Sequence, residues 1–176
     1  MKKTLTRLEA LVPALILVGL LVSVLTWFAS PTAHAGTALP VSGVCLPDQE
    51  VAKARALTGE HETNVDWVDR AQAKAWDMAN AAAWALPKHV TIVMDTPCEY
   101  VAGVAAHEFA HEAQFRKAGG SARAYTYYGP TEIEKVAQCY AVLTGFKAYK
   151  AYGVGKASDC SEYELVSAES LRAWAR

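Results

Sequence analysis

The feature that most constrains this chain is His107-Glu108-Phe109-Ala110-His111, set inside a proline-free stretch from Cys98 to Lys117. A helix is expected there, stopped by Gly119-Gly120. Positions i and i+4 of a helix share a face one turn apart, so the two imidazoles can converge on one metal ion. Glu108, beside the first histidine, can reach a water bound to that metal. Zinc lowers the pKa of such a water to ~7, and a carboxylate can take its proton during attack on a carbonyl. Val101, Val104, Ala105, Ala106, Phe109 and Ala110 give the helix an apolar body, which would keep competing water away from the histidines. The bland alternative is two surface histidines with a glutamate on the helix face.

A catalytic zinc site takes three protein ligands and leaves a fourth position open. A third histidine in the metzincin manner needs Gly at 114 and His at 117, where this chain has Gln114 and Lys117, so that branch is excluded. The other common solution is a glutamate on a following helix. Glu132 and Glu134 both qualify, 21 and 23 residues after His111.

HEFAH followed by Glu134-Lys135-Val136-Ala137-Gln138-Cys139 resembles the HExxH…ExxAD pattern of small bacterial gluzincins, the neutral zinc metallopeptidases, over roughly residues 88 to 145. The resemblance implies a minimal zincin-like fold of the α+β class, mostly helical, with a small sheet packed on the active-site helix. It implies Zn2+ held by His107, His111 and Glu134, with Glu108 as general base and a peptide or protein as substrate. Gln138 stands where that pattern has aspartate, which would orient a ligand histidine from behind. Glutamine can accept a hydrogen bond from an imidazole N–H but brings no charge, so weaker zinc binding or a less basic histidine pair is expected. Donors for a developing oxyanion are sought among Tyr125, Tyr127, Tyr128 and Tyr140. Tyr127 and Tyr128 are favoured because their segment lies between the two metal-bearing helices; the bland alternative packs these aromatics on a sheet edge. The strand expected over Lys88–Asp95 would line the cleft and pair with an extended substrate.

The N-terminus reads as an address. Lys2, Lys3 and Arg7 precede an uncharged run from Leu11 to Phe28, and Ala33-His34-Ala35 follows. That order describes a signal peptide over 1–35 cut after Ala35; the alternative is an uncleaved anchor. The chain is thus expected to be secreted or extracytoplasmic, or else membrane-anchored with its domain outside, contacting a membrane only if this segment is retained. A flexible lead-in covers 36–47 and one domain covers 48–176. Cys45, Cys98, Cys139 and Cys160 all follow the leader, and an even count in an exported domain predicts two disulfides. Cys139–Cys160 and Cys45–Cys98 are the expected pairs, since they tie neighbouring segments.

Three- and four-residue steps from Val65 to Leu86 predict one long helix, opened by a capping box at Thr63–Asp66 and ended by Pro87. A shorter helix is expected over Asp48–Leu57. Ser121–Gly129 reads as a second strand or a loop, Pro130 opens a helix running to about Tyr152, and a last helix ends at Trp174. With 52% apolar and 20% charged residues and a net charge of −1, disorder and nucleic-acid binding are excluded, and a monomer is expected. The sequence favours a secreted zinc metallopeptidase. Its rival is a non-catalytic extracytoplasmic or membrane-tethered binding protein on the same scaffold.

Overall fold

The computed structural model describes residues 45–175. The signal segment expected over 1–35, and all of the lead-in up to residue 44, lie outside the described residues. The order of elements is α1 (Pro47–Thr58), β1 (Asn64–Val68), α2 (Arg70–Ala75), β2 (Ala83–Leu86), β3 (His89–Val93), α3 (Cys98–Ala118), α4 (Ser121–Tyr128), α5 (Pro130–Leu143), a 3-10 turn (Ala157–Asp159) and α6 (Glu162–Trp174). This is the α+β, mostly helical architecture expected.

Helix α3 is the axis of the domain. From Val101 to Phe115 all but His107 is buried, including Glu108, His111, Glu112 and Gln114. A helix covered on every side must be enclosed by other elements, and α1, α5, α4 and the sheet enclose this one. Its alanines allow that close approach. Val90 and Ile92 of β3 join Val101, Ala105 and Phe109 in one core cluster with Val51 and Ala54 of α1. Ala110 and Ala113 face α5 and α6 through Val136, Ala137, Tyr140 and Leu171.

The sheet has the order β1-β3-β2, with β1 parallel and β2 antiparallel to β3. The hairpin between β2 and β3 turns at Pro87-Lys88. Lys88 has φ 64°, and its N–H donates to the buried Glu112 carboxylate at 2.7 Å, which pins the sheet to α3.

The single helix expected over 65–86 is not formed. Alanine, the best helix former, recurs there at helical spacing, but pairing of this segment with β3 overrides that propensity. Val65, Trp67 and Val68 instead enter a strand whose alternate side chains turn inward. Asp69 then caps a short helix, accepting from the Gln72 N–H at 2.7 Å, and the chain leaves it through Asp77 at φ 59°. Thr63–Asp66 is accordingly no capping box; the Thr63 N–H donates to Glu60. Ser121–Tyr128 is a helix rather than a strand or loop. Helix α5 stops at Leu143, with Gly145 at φ 80° behind it, so Phe146–Lys156 forms a wall-like loop instead of two more turns.

Both expected disulfides are present. Cys45–Cys98 joins the start of α1 to the start of α3, and Cys139–Cys160 joins α5 to the residue before the α6 cap. The second closes a loop of 21 residues, a constraint worth about 3 kcal/mol in lost unfolded-state entropy. Among the described residues no helix is long and apolar enough to cross a membrane.

The loop after α5 rests directly on α3 at Gly103, where a Cβ would overlap the Lys147 carbonyl oxygen and crowd Ala148. Gly103→Ala should therefore destabilise the protein by about 1–3 kcal/mol, although alanine ordinarily favours a helix interior over glycine. Chemical denaturation measures this, and a stabilised variant would contradict the seating of the loop on α3.

Candidate metal centre

One face of α3 carries His107 and His111, whose rings meet edge to face with centroids 4.8 Å apart and Nε2 atoms 3.1 Å apart. Helix α5 brings Glu134 to the same point, its Oε2 lying 3.4 Å from His107 Nε2 and 3.3 Å from His111 Nε2. These three residues form a group able to hold a metal ion. Two ligand atoms each ~2.0–2.1 Å from a tetrahedral ion stand about 3.3 Å from one another, so the observed separations fit a zinc-sized ion. Glu132 is not part of the group. It points outward and pairs with Lys135 at 3.1 Å.

Which nitrogen of each ring faces inward follows from the backbone. A carbonyl oxygen can only accept, so the Gln138 amide nitrogen must face the Tyr149 carbonyl, 2.6 Å away, and its oxygen must face His107 Nδ1 at 3.0 Å. Likewise the Gln114 amide nitrogen donates to the Ile133 carbonyl at 2.9 Å, leaving its oxygen to accept from His111 Nδ1 at 2.8 Å. Both histidines thus carry their proton on Nδ1, and both Nε2 lone pairs point at the Glu134 carboxylate oxygen. Three electron-rich atoms in mutual contact, largely shielded from water, call for a cation between them.

The electrostatics agree. Burial alone would raise the Glu134 carboxyl, yet hydrogen bonds and charge from the two imidazoles, when a proton rather than a metal lies between them and the carboxylate, hold it well below the usual carboxylate range. Burial alone would lower His111, but contact with Glu134 and the nearby Glu108 charge raise it. The site attracts positive charge.

Glu108 lies on the adjoining side of α3, only 6% exposed, with no hydrogen-bond partner among the described residues. Burial pushes its carboxyl up against the pull of His107 and His111. It borders a cleft of about 410 Å³ whose floor is Gly103, Val104, His107 and Glu108. One wall is Ala81–Ala83, entering β2; the other is the loop through Tyr149 and Tyr152. The Tyr152 ring lies over His107 with centroids 6.2 Å apart, and its phenol is pushed up to about 12 by burial and by the Glu134 carboxylate beside it.

Several expectations change. Tyr127 and Tyr128 line a separate hollow with Lys117 and Arg123, and Tyr127 is 74% exposed, so neither borders the metal group. Tyr140 is buried, its hydroxyl donating to the Thr58 carbonyl at 3.3 Å. Tyr125 comes nearer, packing on Phe115, which itself stacks on His111. The tyrosine over the site is Tyr152, which sequence reasoning placed at the end of a helix. The strand over Lys88–Asp95 is central, with a neighbour on each side; the edge strand beside the cleft is β2. Gln138 takes the orienting position expected of it. Gln114 was missed as its counterpart, although its place three residues after His111 puts the two on one helix face. A second cluster, Cys139, Cys160 and Glu164, offers no thiolate because its sulfurs are bridged.

Comparison with known proteins found no matching family model, no similar curated protein and no similar solved structure. The chemistry of the site has to be read from its own residues.

Removing either amide should loosen the metal without removing a ligand. Gln114→Leu and Gln138→Leu should each weaken zinc binding by about 10–100-fold, whereas Glu132→Ala should leave it unchanged. Competition against a chelating dye measures all three, and equal affinities throughout would contradict the orienting role of the glutamines.

Proposed function

We propose that this chain is an exported zinc metallopeptidase of the gluzincin type, hydrolysing peptide bonds in the cleft beside His107 and Glu108. The observation that carries this reading is the convergence of His107, His111 and Glu134 at 3.1–3.4 Å, with a buried glutamate next to them, without a hydrogen-bond partner among the described residues, at the floor of an open cleft. Two imidazoles and one carboxylate suit zinc better than calcium or magnesium, which prefer all-oxygen shells. Two disulfides suit an oxidising, extracytoplasmic setting. The resemblance of HEFAH and Glu134–Cys139 to the gluzincin pattern points the same way.

Bound there, zinc supplies a Lewis acid and a water whose pKa falls to ~7. The protein does the rest. His107 and His111 are held in one tautomer by Gln138 and Gln114, so no reorganisation is needed as charge develops. Glu108 takes a proton from the attacking water and returns it to the leaving nitrogen. Tyr152, hydroxyl near Glu134 and ring over His107, is placed to donate a hydrogen bond to the oxyanion. The free edge of β2 offers backbone groups to an extended chain, because strand alternation turns the N–H and C=O of Ala83 away from β3.

Glu108→Gln should keep its zinc and lose about 10²–10⁴-fold in kcat on an end-blocked peptide library. Tyr152→Phe should lose about 10²–10³-fold in kcat with KM little changed. Turnover unaffected by Glu108→Gln would favour the non-catalytic binding protein, as would a zinc-loaded wild type that cuts nothing.

A further inference from the structure

We propose that the hollow between α4 and the end of α3, with the exposed stripe of α6 beside it, is a docking groove for an acidic stretch of polypeptide that also bears aromatic or aliphatic side chains. The hollow shares no lining residue with the cleft at the metal group. Docking there is a binding function of its own and does not depend on whether the cleft cuts peptides.

Charge sets the sign of the ligand. The hollow, about 350 Å³, is lined by Lys117, Ala118, Arg123, Tyr127 and Tyr128, with no carboxylate among them. The Lys117 ammonium meets only a neutral group, the Ser170 hydroxyl, at 2.7 Å. Arg123 makes no ion pair or hydrogen bond among the described residues, yet it has a seat. Its Nη1 lies 3.3 Å from the point a Cβ on Gly119 would occupy, so the guanidinium is laid against the bare turn that ends α3. Burial, then the neighbouring Tyr127 and Tyr163, push the Tyr128 phenol up to about 12, so it keeps its proton and can donate. Arg116, one residue before Lys117, shows the contrast, since Glu60 neutralises it. The acids of α6 nearest this side, Glu162 and Glu169, stand about a quarter-turn round their helix from the stripe, and neither pairs with Lys117 or Arg123 among the described residues. Two cations left without counter-charge in one concavity attract an anion.

The surroundings decide what carries the anion. Tyr127 and Tyr128 meet edge to face, with centroids 4.8 Å apart, and Tyr127 is largely exposed. On α6, Tyr163, Val166, Ser170 and Trp174 recur at steps of three and four, so they share one face, and all four are exposed. That face runs beside the hollow: Ser170 touches Lys117, and the Trp174 ring lies under Arg116 at 5.5 Å. From Tyr163 to Trp174 it measures about 16 Å, the reach of about five residues of extended chain. A lone small anion would leave such a stripe uncovered, whereas a peptide alternating acidic and apolar residues meets cations and aromatic faces together. Aromatic residues and arginine are also the side chains that protein interfaces favour. Phosphate polymers fit less well, because their binding draws on about 6–10 phosphate contacts and this chain, of net charge −1, offers two free cations here. A bilayer fits less well too, since it receives protruding side chains and these cations line a hollow.

Fluorescence anisotropy tests this with an end-blocked hexapeptide alternating Glu and Phe, titrated onto the Glu108→Gln chain so that no cutting interferes. Replacing its Glu by Gln, or by Lys, should weaken binding at least about tenfold, and replacing its Phe by Ser at least about threefold. The double variant Lys117→Gln/Arg123→Gln, whose changes are on the surface and should leave thermal melting unaltered, should reproduce the tenfold loss with the Glu peptide. Ala151→Asp, which sets a negative charge in the metal cleft instead, should leave Kd within about twofold. Absence of binding by the Glu/Phe peptide, an affinity indifferent to the Lys117/Arg123 pair, or a tenfold loss on Ala151→Asp would overturn the groove. So would tighter binding, lost in the same double variant, to a short DNA strand or to phosphatidylserine vesicles, which would make the ligand a phosphate polymer or a membrane. A wild-type chain that cuts no peptide yet shows these affinities would sink the peptidase and leave the groove standing.

Discussion

Everything about the site depends on two hydrogen bonds that lie behind it. His107 and His111 donate from Nδ1 to Gln138 and Gln114, and each glutamine is held in orientation by a backbone carbonyl that can accept but never donate. The carbonyls belong to Tyr149 in the loop after α5 and to Ile133 in α5 itself. The tautomer of each imidazole is therefore set by main chain two contacts away, and the ligand nitrogens are aimed before any metal arrives. Such preorganisation reduces what metal binding must spend on ordering its ligands.

That arrangement explains otherwise costly choices in the core. Glu108, His111, Glu112, Gln114 and Gln138 are all buried; the histidine and both glutamines are hydrogen-bonded, whereas Glu108 and one oxygen of Glu112 have no partner among the described residues. Glu112 accepts the Lys88 N–H and ties the β2–β3 hairpin to α3. The small residues of α3 let α1 and α5 approach closely enough for Glu134 to reach across. Gly103 allows the loop that carries Tyr149 and Tyr152 to lie on the same helix one turn before His107. The disulfides hold the two ends of this assembly, one at the entry to α3 and one at α5, next to Gln138. Structure and chemistry share the same few contacts.

The parts of this design that were legible in the sequence are those encoded locally. HEFAH sits in a helix with a strong stop at Gly119-Gly120, and that helix was readable to within a residue. The cysteine pairs were readable because each ties segments that the chain brings close. Residues 65–86 were misread because alanine, the best helix former, recurs there at a spacing that fits a helix, and pairing in the sheet overrode that propensity. The deciding signals were small ones, a capping Asp69 and the β-branched Val65 and Val68. Tyr152 could not be found, since its place over His107 depends on where α5 stops and on the close seat at Gly103, both tertiary effects. Gln114 could have been found. Once a histidine is assumed to bind metal through Nε2, its Nδ1 needs an acceptor, and the third residue along the same helix is the first place to look.

The central claim is that His107, His111 and Glu134 hold one zinc ion, and elemental analysis of the oxidised full chain beside its Glu134→Ala variant tests it most directly. About one zinc per wild-type chain, with most of it lost in the variant, is the result this structure predicts. A folded wild-type chain that takes up no zinc, or a variant that retains it undiminished, would contradict the account.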